Sequence, residues 1–287
     1  MDQPLVTIAI SCYNHQKYVA ESILSALKQT YGNIELLVFD DGSKDNSVEV
    51  IEGLKSEHEF YFQAQENMGL AQTLNHAIQK ARGKYFVPFG SDDIMMPDRI
   101  EKQVAFMESH PEHAMCGGNM VKIDDDGTVL KKQTFQSSGS QRFHDVLLNR
   151  PPGIPAPSMF FKTEIINEVG GFDPEIALED LYIKLKITHA GYSIGVMNDL
   201  IAYYRVHETN TYKNMNYMTE NVLKTYERFS DDSYYEQAKF HFLNGMLLRA
   251  SKCDTALALK ILKMIPLKHY NTKTFRALPK LLVSKNG

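Results

Sequence analysis

The feature that most constrains this chain is a rhythm. Between Leu5 and about Met120, short runs rich in β-branched and aromatic residues alternate with helical patterns. LVTIAIS is followed by YVAESILSALKQ, IELLVFD by SVEVIEGLKS, FYFQAQ by LAQTLNHAIQKA and KYFVPFG by DRIEKQVAFMES, before a last run, AMCGGNMVKI. Strands at this spacing, with helices between them, predict an α/β fold whose mostly parallel central sheet is covered on both faces. In such sheets ligands bind beyond the carboxyl ends of the strands. The unusual polar residues collect at that edge: Ser11, Tyr13 and Asn14 after the first strand, Asp40 and Asp41 after the second, Asn67 and Gly69 after the third, Asp92 and Asp93 after the fourth.

Past residue 123 the rhythm changes. IDDDGTVLKK predicts a hairpin turning on Asp-Asp-Gly, and the prolines of PPGIPAP exclude helix. A strand, a short helix and a Gly-Gly stop follow in APSMFFKTEIINEVGGFD. LEDLYIKLKITHAGY predicts a helix ending at Gly191, then strands SIGVMN and LIAYYRVH. From about Met215 only helical patterns remain. The expected organisation is one α/β domain over residues 1–214 and a helical C-terminal extension over 215–287.

Three scattered cysteines, Cys12, Cys116 and Cys253, are too few for a disulfide framework and suggest a reducing compartment. MDQPLVTIAIS has no basic stretch before its apolar run and reads as a first strand, not as a signal peptide. No window approaches the roughly 18 uncharged apolar residues of a membrane span. The expectation is a cytoplasmic protein. Its net charge of -4 conceals an asymmetry: residues 249–287 carry nine Lys/Arg against one acid, Asp254. An acidic body ends in a basic tail.

Two segments carry the chemistry. VFDDGSKDNS places two carboxylates, a glycine and a serine between a buried strand and a helix, which turn preferences alone would also explain. FGSDDIMMPDRI repeats the pattern at the end of another strand. Two acidic strand ends on one sheet edge repel each other unless cationic or hydrogen-bonding ligands lie between them. Carboxylates there suit hard divalent ions, which also bind diphosphates, and this favours a nucleotide diphosphate site. Glu179 and Asp180 begin a later helix, where acids also complement the helix dipole; adjacent helical residues diverge, so at most one enters a site directly. Arg205 and His207 end the last strand, and His207 offers a neutral nitrogen to a metal. HPEH lacks the partners of a zinc site, KIDDDG lacks the spacing of a calcium loop, and no G-x-G-x-x-G follows any strand, which disfavours a dehydrogenase.

In order, VTIAISCYNHQKYVAESILSALKQTY, VFDDGSKDNS, NMGLAQTLNHAI, SDDIMMPDRIEKQV, GGFDP, LEDLYIKL and YRVH resemble the family 2 glycosyltransferases, from about Pro4 to Asn210. The likeness is greatest to small bacterial members that add single sugars to surface polysaccharide precursors such as O-antigen. The resemblance implies a GT-A, Rossmann-like, nucleotide-sugar-binding domain and an inverting, metal-dependent transfer. It implies that Ser11, Tyr13, Asn14, Asp41 and Asn67 hold the nucleotide, with Tyr13 against the base, Asp41 bonding its edge and Asp92 near the ribose. Asp93 would bind Mn²⁺ or Mg²⁺ on the diphosphate, with His207 as a second ligand, and Asp180 matches the general base; Asp40, Glu179 and Arg205 are expected as supporting residues of the site. Many members carry aspartate where this chain has Gly90, which shifts the burden of metal binding to Asp93 and His207.

Processive members carry Gln-x-x-Arg-Trp and membrane spans, whereas this chain has no tryptophan, so one sugar per encounter is expected. UDP is the expected carrier, on family grounds, and a lipid-diphosphate-linked saccharide the expected acceptor; nucleic acid is not an expected partner. A catalytically weak nucleotide-sugar-binding module remains an alternative because of Gly90. A sugar nucleotidyltransferase is another, although SCYNHQKY lacks the glycine-rich loop of those enzymes. In the tail, Leu257, Ile261, Met264 and Ile265 share a helical face, and Lys268, Lys273, Arg276, Lys280 and Lys285 stand among apolar residues. These helices either pack as core or hold the enzyme peripherally at an anionic inner membrane face.

Overall fold

The computed structural model describes residues 3–208, 210 and 213–283. Lys285 lies outside the described residues, as do the extreme ends of the two expected domains. The chain divides into two compact units, residues 1–146 with 151–207, and residues 147–150 with 208–287.

The first unit holds a nine-stranded sheet. Its strands are β1 (Val6–Cys12), β2 (Ile34–Asp40), β3 (Tyr61–Ala64), β4 (Tyr85–Gly90), β5 (Ile94–Met95), β6 (His113–Ile123), β7 (Gly139–Gln141), β8 (Phe160–Lys162) and β9 (Ser193–Arg205). The helices between them are α1 (Val19–Leu27), α2 (Ser47–Glu57), α3 (Leu70–Lys80), α4 (Arg99–Ser109), α5 (Phe143–Leu147), α6 (Thr163–Glu168) and α7 (Glu179–His189). The order is β3-β2-β1-β4-β8-β6-β9-β5, with β7 against β9. The four strands of the opening rhythm pair in parallel, as their spacing requires. Val6, Ile8, Ala9 and Ile10 are all buried, as in a sheet covered on both faces. α1 contributes Val19, Ile23 and Ala26 to this core at helical spacing. The strand order reverses between β1 and β4, the crevice where α/β sheets bind ligands.

Two elements differ from expectation. SIGVMN and LIAYYRVH form one strand, because the polar break at Asn198–Asp199 is absorbed by a register shift opposite Gly117–Asn119, where Asn119 Nδ2 donates to Asn198 O at 3.0 Å. Ile94 and Met95, directly after the acidic pair, form β5 and pair antiparallel with Tyr203 and Ala202 of β9. Ser25 Oγ of α1 accepts from Met95 N at 3.0 Å and fixes this short strand.

The second unit contains α8 (Met215–Glu227), α9 (Tyr235–Ala250), α10 (Thr255–Met264) and α11 (Thr272–Val283). Asn214 and Asp254 cap α8 and α10 through their side chains. Leu257, Ile261 and Ile265 are buried against Leu243, Leu247, Ala277 and Leu281. The apolar face of the tail is therefore the core of its own unit, and of the four residues expected on it only Met264 stays half-exposed. Among the described residues no helix is long and apolar enough to cross a membrane.

Candidate functional site

The ends of β1 and β2 are laced into one surface. Asn14, with a left-handed φ of 56°, accepts from Lys44 N through Oδ1 and donates its own N–H to Ser43 Oγ at 2.8 Å. His15 N donates to Ser47 Oγ, and Gln16 N to Asp45 Oδ2. Asp40 spends its carboxylate on Ser43, from which it accepts N–H and O–H bonds. Asp41 is buried and accepts from Gln65 Nε2, Met68 N and Gly69 N at 2.9 to 3.0 Å. A carboxylate accepts about four hydrogen bonds, so a base edge at Asp41 would take the remaining direction. Asn67 Nδ2 donates to Asp41 O, and Gly42 has a φ of 76° with only 2.8 Å between a built Cβ and Asn67 N, so glycine alone fits there. Tyr13 stands 47% exposed beside Ser11, a free ring face at the strand ends.

A second cluster forms across the β1/β4 crevice. One ligand atom each of His15, Asp92 and His207 lies within 4.8 Å of the others. Asp92 Oδ2 is 2.9 Å from His207 Nε2, and His15 Nδ1 is 2.7 Å from Ser91 Oγ, which orients the ring and leaves its Nε2 for a ligand. Tyr18 stacks on His207. Asp93 accepts from Arg205 N at 2.9 Å and is buried. The carboxylate in contact with His207 is thus Asp92, where the sequence reading set Asp93 beside it. Asp92 lies in the turn between β4 and β5, where its Oδ2 meets His207 Nε2, while Oδ1 of Asp93 accepts from the backbone N–H of Arg205.

The electrostatics separate the two acids. Burial pushes the Asp93 carboxyl well above the usual carboxylate range, and the neighbouring Asp92 charge adds to this. Burial acts on Asp92 in the same sense, but its bond to His207 and the His15 imidazole outweigh it and hold the carboxyl below its ordinary value. Burial also lowers His15. An ionised carboxylate and a neutral imidazole are the states a metal needs. A mixed set of one carboxylate and two imidazoles fits Mn²⁺ better than Mg²⁺, which prefers an all-oxygen shell.

Gly90 follows from the same geometry. A Cβ at this position would lie 2.7 Å from Asp92 Oδ1 and 3.3 Å from Asp93 Oδ2. Gly90→Asp is expected to dislodge Asp92 from His207 and weaken Mn²⁺ binding about 10- to 100-fold. Manganese titration of the variant checks this, and unchanged affinity would refute the crowding argument.

Arg205, named above as a supporting residue at the end of the last strand, ties several of these elements together. Arg205, 2% exposed, donates through Nε to Asp92 O at 2.9 Å, through Nη1 to the carbonyls of Asp124 and Asp125, and through Nη2 to Glu21 Oε2 at 2.5 Å. Asp125 in turn accepts from Lys17 and Tyr18. A buried arginine clamps the turn, α1 and the Asp92 backbone together. His15, three residues past β1, is not among the residues that the sequence reading singles out.

Glu179 and Asp180 open α7. Their approach is set by Gly170 and Gly171, both left-handed, and by Asn75 of α3, which exchanges two 2.8 Å bonds with Phe172. Asp180 Oδ2 accepts from Lys184 at 3.0 Å, one turn on in its own helix. Burial, reinforced by the Asp180 charge, pushes Glu179 up to about 7. Its proton stays bound in the folded state over pH values where the unfolded chain, near 4.5, has lost it. The stability this contributes is complete below 4.5 and is lost as pH rises through about 7. Glu179→Gln is therefore expected to gain about 1 to 3 kcal/mol over wild type between mildly acidic and mildly alkaline pH. Urea melts across that range check it, and parallel pH profiles would refute it.

Comparison with known proteins places these features in context. The sequence model described as Glycosyl transferase family 2 matches residues 7–170. An uncharacterised glycosyltransferase of Haemophilus influenzae is 34% identical over 160 residues, 52% of this chain and 64% of its own length. One from Methanocaldococcus jannaschii is 26% identical over 260 residues, 85% of this chain and 88% of its own. The chain thus spans somewhat under two thirds of the first relative and most of the second. Among solved structures, Staphylococcus aureus TarS 1-349 in complex with UDP-GlcNAc aligns with a TM-score of 0.66 at 18% identity, covering 97% of this chain and 80% of that one. The mannosyltransferase PcManGT from Pyrobaculum calidifontis, in complex with GDP-Man and Mn²⁺, aligns at 0.63 and 19% identity, covering 99% and 89%. At these identities the structural likeness concerns the fold.

Proposed function

This chain belongs to glycosyl transferase family 2, and on that premise we propose that it is an inverting, manganese-dependent enzyme. It would move one sugar from a UDP-sugar to a hydroxyl of a lipid-diphosphate-linked saccharide, at the cytoplasmic face of a membrane. The observation that carries this reading is the His15–Asp92–His207 cluster at the β1/β4 crevice, where the diphosphate of a nucleotide sugar would sit beside the nucleotide-holding ends of β1 and β2.

Tyr13 offers its ring to the base, and Asp41, Asn14 and Asn67 fix the loops around it. Asp92, His15 and His207 would hold the ion, which neutralises charge developing on the leaving diphosphate. The family resemblance assigns the base to Asp180. Its carboxylate would exchange the bond from Lys184 for the proton of the acceptor hydroxyl. The acceptor oxygen bonds to the anomeric carbon as the bond from that carbon to the diphosphate oxygen breaks, and the diphosphate leaves with the electron pair. Attack opposite the leaving group inverts the configuration.

The deciding experiment is a screen of UDP-, GDP- and TDP-sugars for hydrolysis and thermal stabilisation with and without Mn²⁺. UDP-sugars are expected to stabilise the protein, and to be hydrolysed slowly, only when the ion is present. Metal-independent turnover, or preference for another nucleotide, would refute the corresponding part of the reading.

A further inference from the structure

With Leu257, Ile261 and Ile265 committed to the core of the helical unit, the outside of that unit presents a different apolar set. Leu267 is 80% exposed and Phe275 62%, and Met264 is 37% exposed. Leu267 lies in the link between α10 and α11, Met264 ends α10 and Phe275 stands in the first turn of α11. The Phe275 ring meets that of Tyr270 edge-on, with the centroids 6.3 Å apart. The faces that α11 uses for packing are elsewhere, at Thr274, Ala277 and Leu281. Large side chains left this open in a soluble domain mark a surface that meets something apolar.

The charge around the corner states what that is. From Thr255 to Val283 the chain has six Lys/Arg and no Asp or Glu. Lys263, Lys268, Arg276 and Lys280 are exposed beside the apolar residues. Acids from other helices reach this segment at two places: Glu220 pairs with Lys260 at 2.8 Å, and Glu236 lies 4.0 Å from Lys268 and 3.8 Å from His269. Among the described residues no acid pairs with Lys263, Arg276 or Lys280. Exposed Phe and Leu interleaved in sequence with exposed basic residues is the pattern of a segment lying in a membrane interface, where apolar tips enter the acyl boundary and cations remain among headgroups. A protein partner would need acids to match; an anionic lipid surface supplies them without a specific fold.

We propose that the α10–α11 corner is a lipid-docking surface, with Leu267 and Phe275 inserting and Lys263, Lys268, Arg276 and Lys280 binding anionic headgroups. This deepens the reading of a lipid-linked acceptor by assigning the contact to named residues, and it moves that contact away from the amphipathic stripe the sequence suggested.

The test is flotation of the full chain with phosphatidylcholine vesicles, with and without phosphatidylglycerol, at low and raised salt. Wild type is expected to float only with phosphatidylglycerol and to be released by salt. Changing Lys268, Arg276 and Lys280 to Gln is expected to weaken partitioning about 100-fold, since each cation near such a surface is worth about fivefold. The pair Leu267→Ser and Phe275→Ser is expected to cost about tenfold or more; both side chains are exposed, so folding should be untouched, and circular dichroism verifies that. Failure of wild type to float with anionic vesicles at low salt overturns the proposal. So does a serine pair that floats like wild type, or self-association that Phe275→Ser abolishes while flotation never occurs. Donor hydrolysis without vesicles is expected to be equal in all variants. If wild type lacks hydrolysis the transferase reading fails, while flotation still decides the surface.

Discussion

Asp92→Asn is expected to lower Mn²⁺ affinity by about 100-fold or more and turnover by about 10²- to 10³-fold. Even loss of a residue that only orients a ligand costs about 10- to 100-fold in metal affinity, and loss of one preorganised group that stabilises transition-state charge costs about 10²- to 10³-fold in rate. The variant keeps its shape but cannot offer an anionic oxygen beside His207, now held 2.9 Å away. The control is its neighbour. Asp93→Asn retains an acceptor for Arg205 N and replaces a carboxyl whose burial already favours the neutral form. It is expected to bind Mn²⁺ like wild type and to be at least as stable at neutral pH. The sign follows from the raised value: stability from protonated Asp93 is present in acid and is lost as pH rises through its folded value, a loss the amide avoids. Calorimetric titration of Mn²⁺ with UDP present reads both variants. If Asp93→Asn loses the ion and Asp92→Asn keeps it, the ligand assignment is reversed.

Asp180→Asn is expected to reduce transfer by about 100- to 10,000-fold, the usual worth of general-base catalysis, with donor and metal affinity unchanged. The amide can still accept from Lys184, so α7 should start as before. What is lost is the capacity to take a proton. Glu179→Gln, the variant proposed above for its pH-dependent stability, should leave transfer within a few-fold if Asp180 alone is the base, because the two carboxylates diverge on the helix. Transfer assays beside donor-binding measurements separate the roles. Wild-type transfer by Asp180→Asn would leave the acid as a helix-start residue, and collapse of transfer in Glu179→Gln alone would move the base one position.

The parallel half of the sheet was legible because its signal is local. Buried strands need continuous apolar runs, the helices between them show a 3.6-residue stripe, and both can be read within a dozen residues. The polar strand ends were legible for the same reason: Asp40, Asp41, Asn14 and Asn67 each lie at or just past the end of a strand, and the structure binds them into one surface. The break at Asn198–Asp199 misled because a bulge can carry a strand through polar residues, and only its partner reveals that. The tail's stripe was equally visible, but a periodic apolar face does not say what covers it; packing with Leu243, Leu247 and Ala277 decided that it is core.

The sequence by itself determined that this chain would build an α/β sheet with carboxylates at its ligand-binding edge. The tertiary structure alone decided which partner each carboxylate meets. Asp92 and Asp93 are neighbours of one type in the turn between β4 and β5, and a Cβ at Gly90 would meet a carboxylate oxygen of each, at 2.7 and 3.3 Å. Nothing within reach of them in sequence tells the two apart. That distinction comes from β9, more than a hundred residues later. Its pairing with β5 places His207 against Asp92 and the Arg205 N–H against Asp93, and the end of β1 brings His15 to the same cluster.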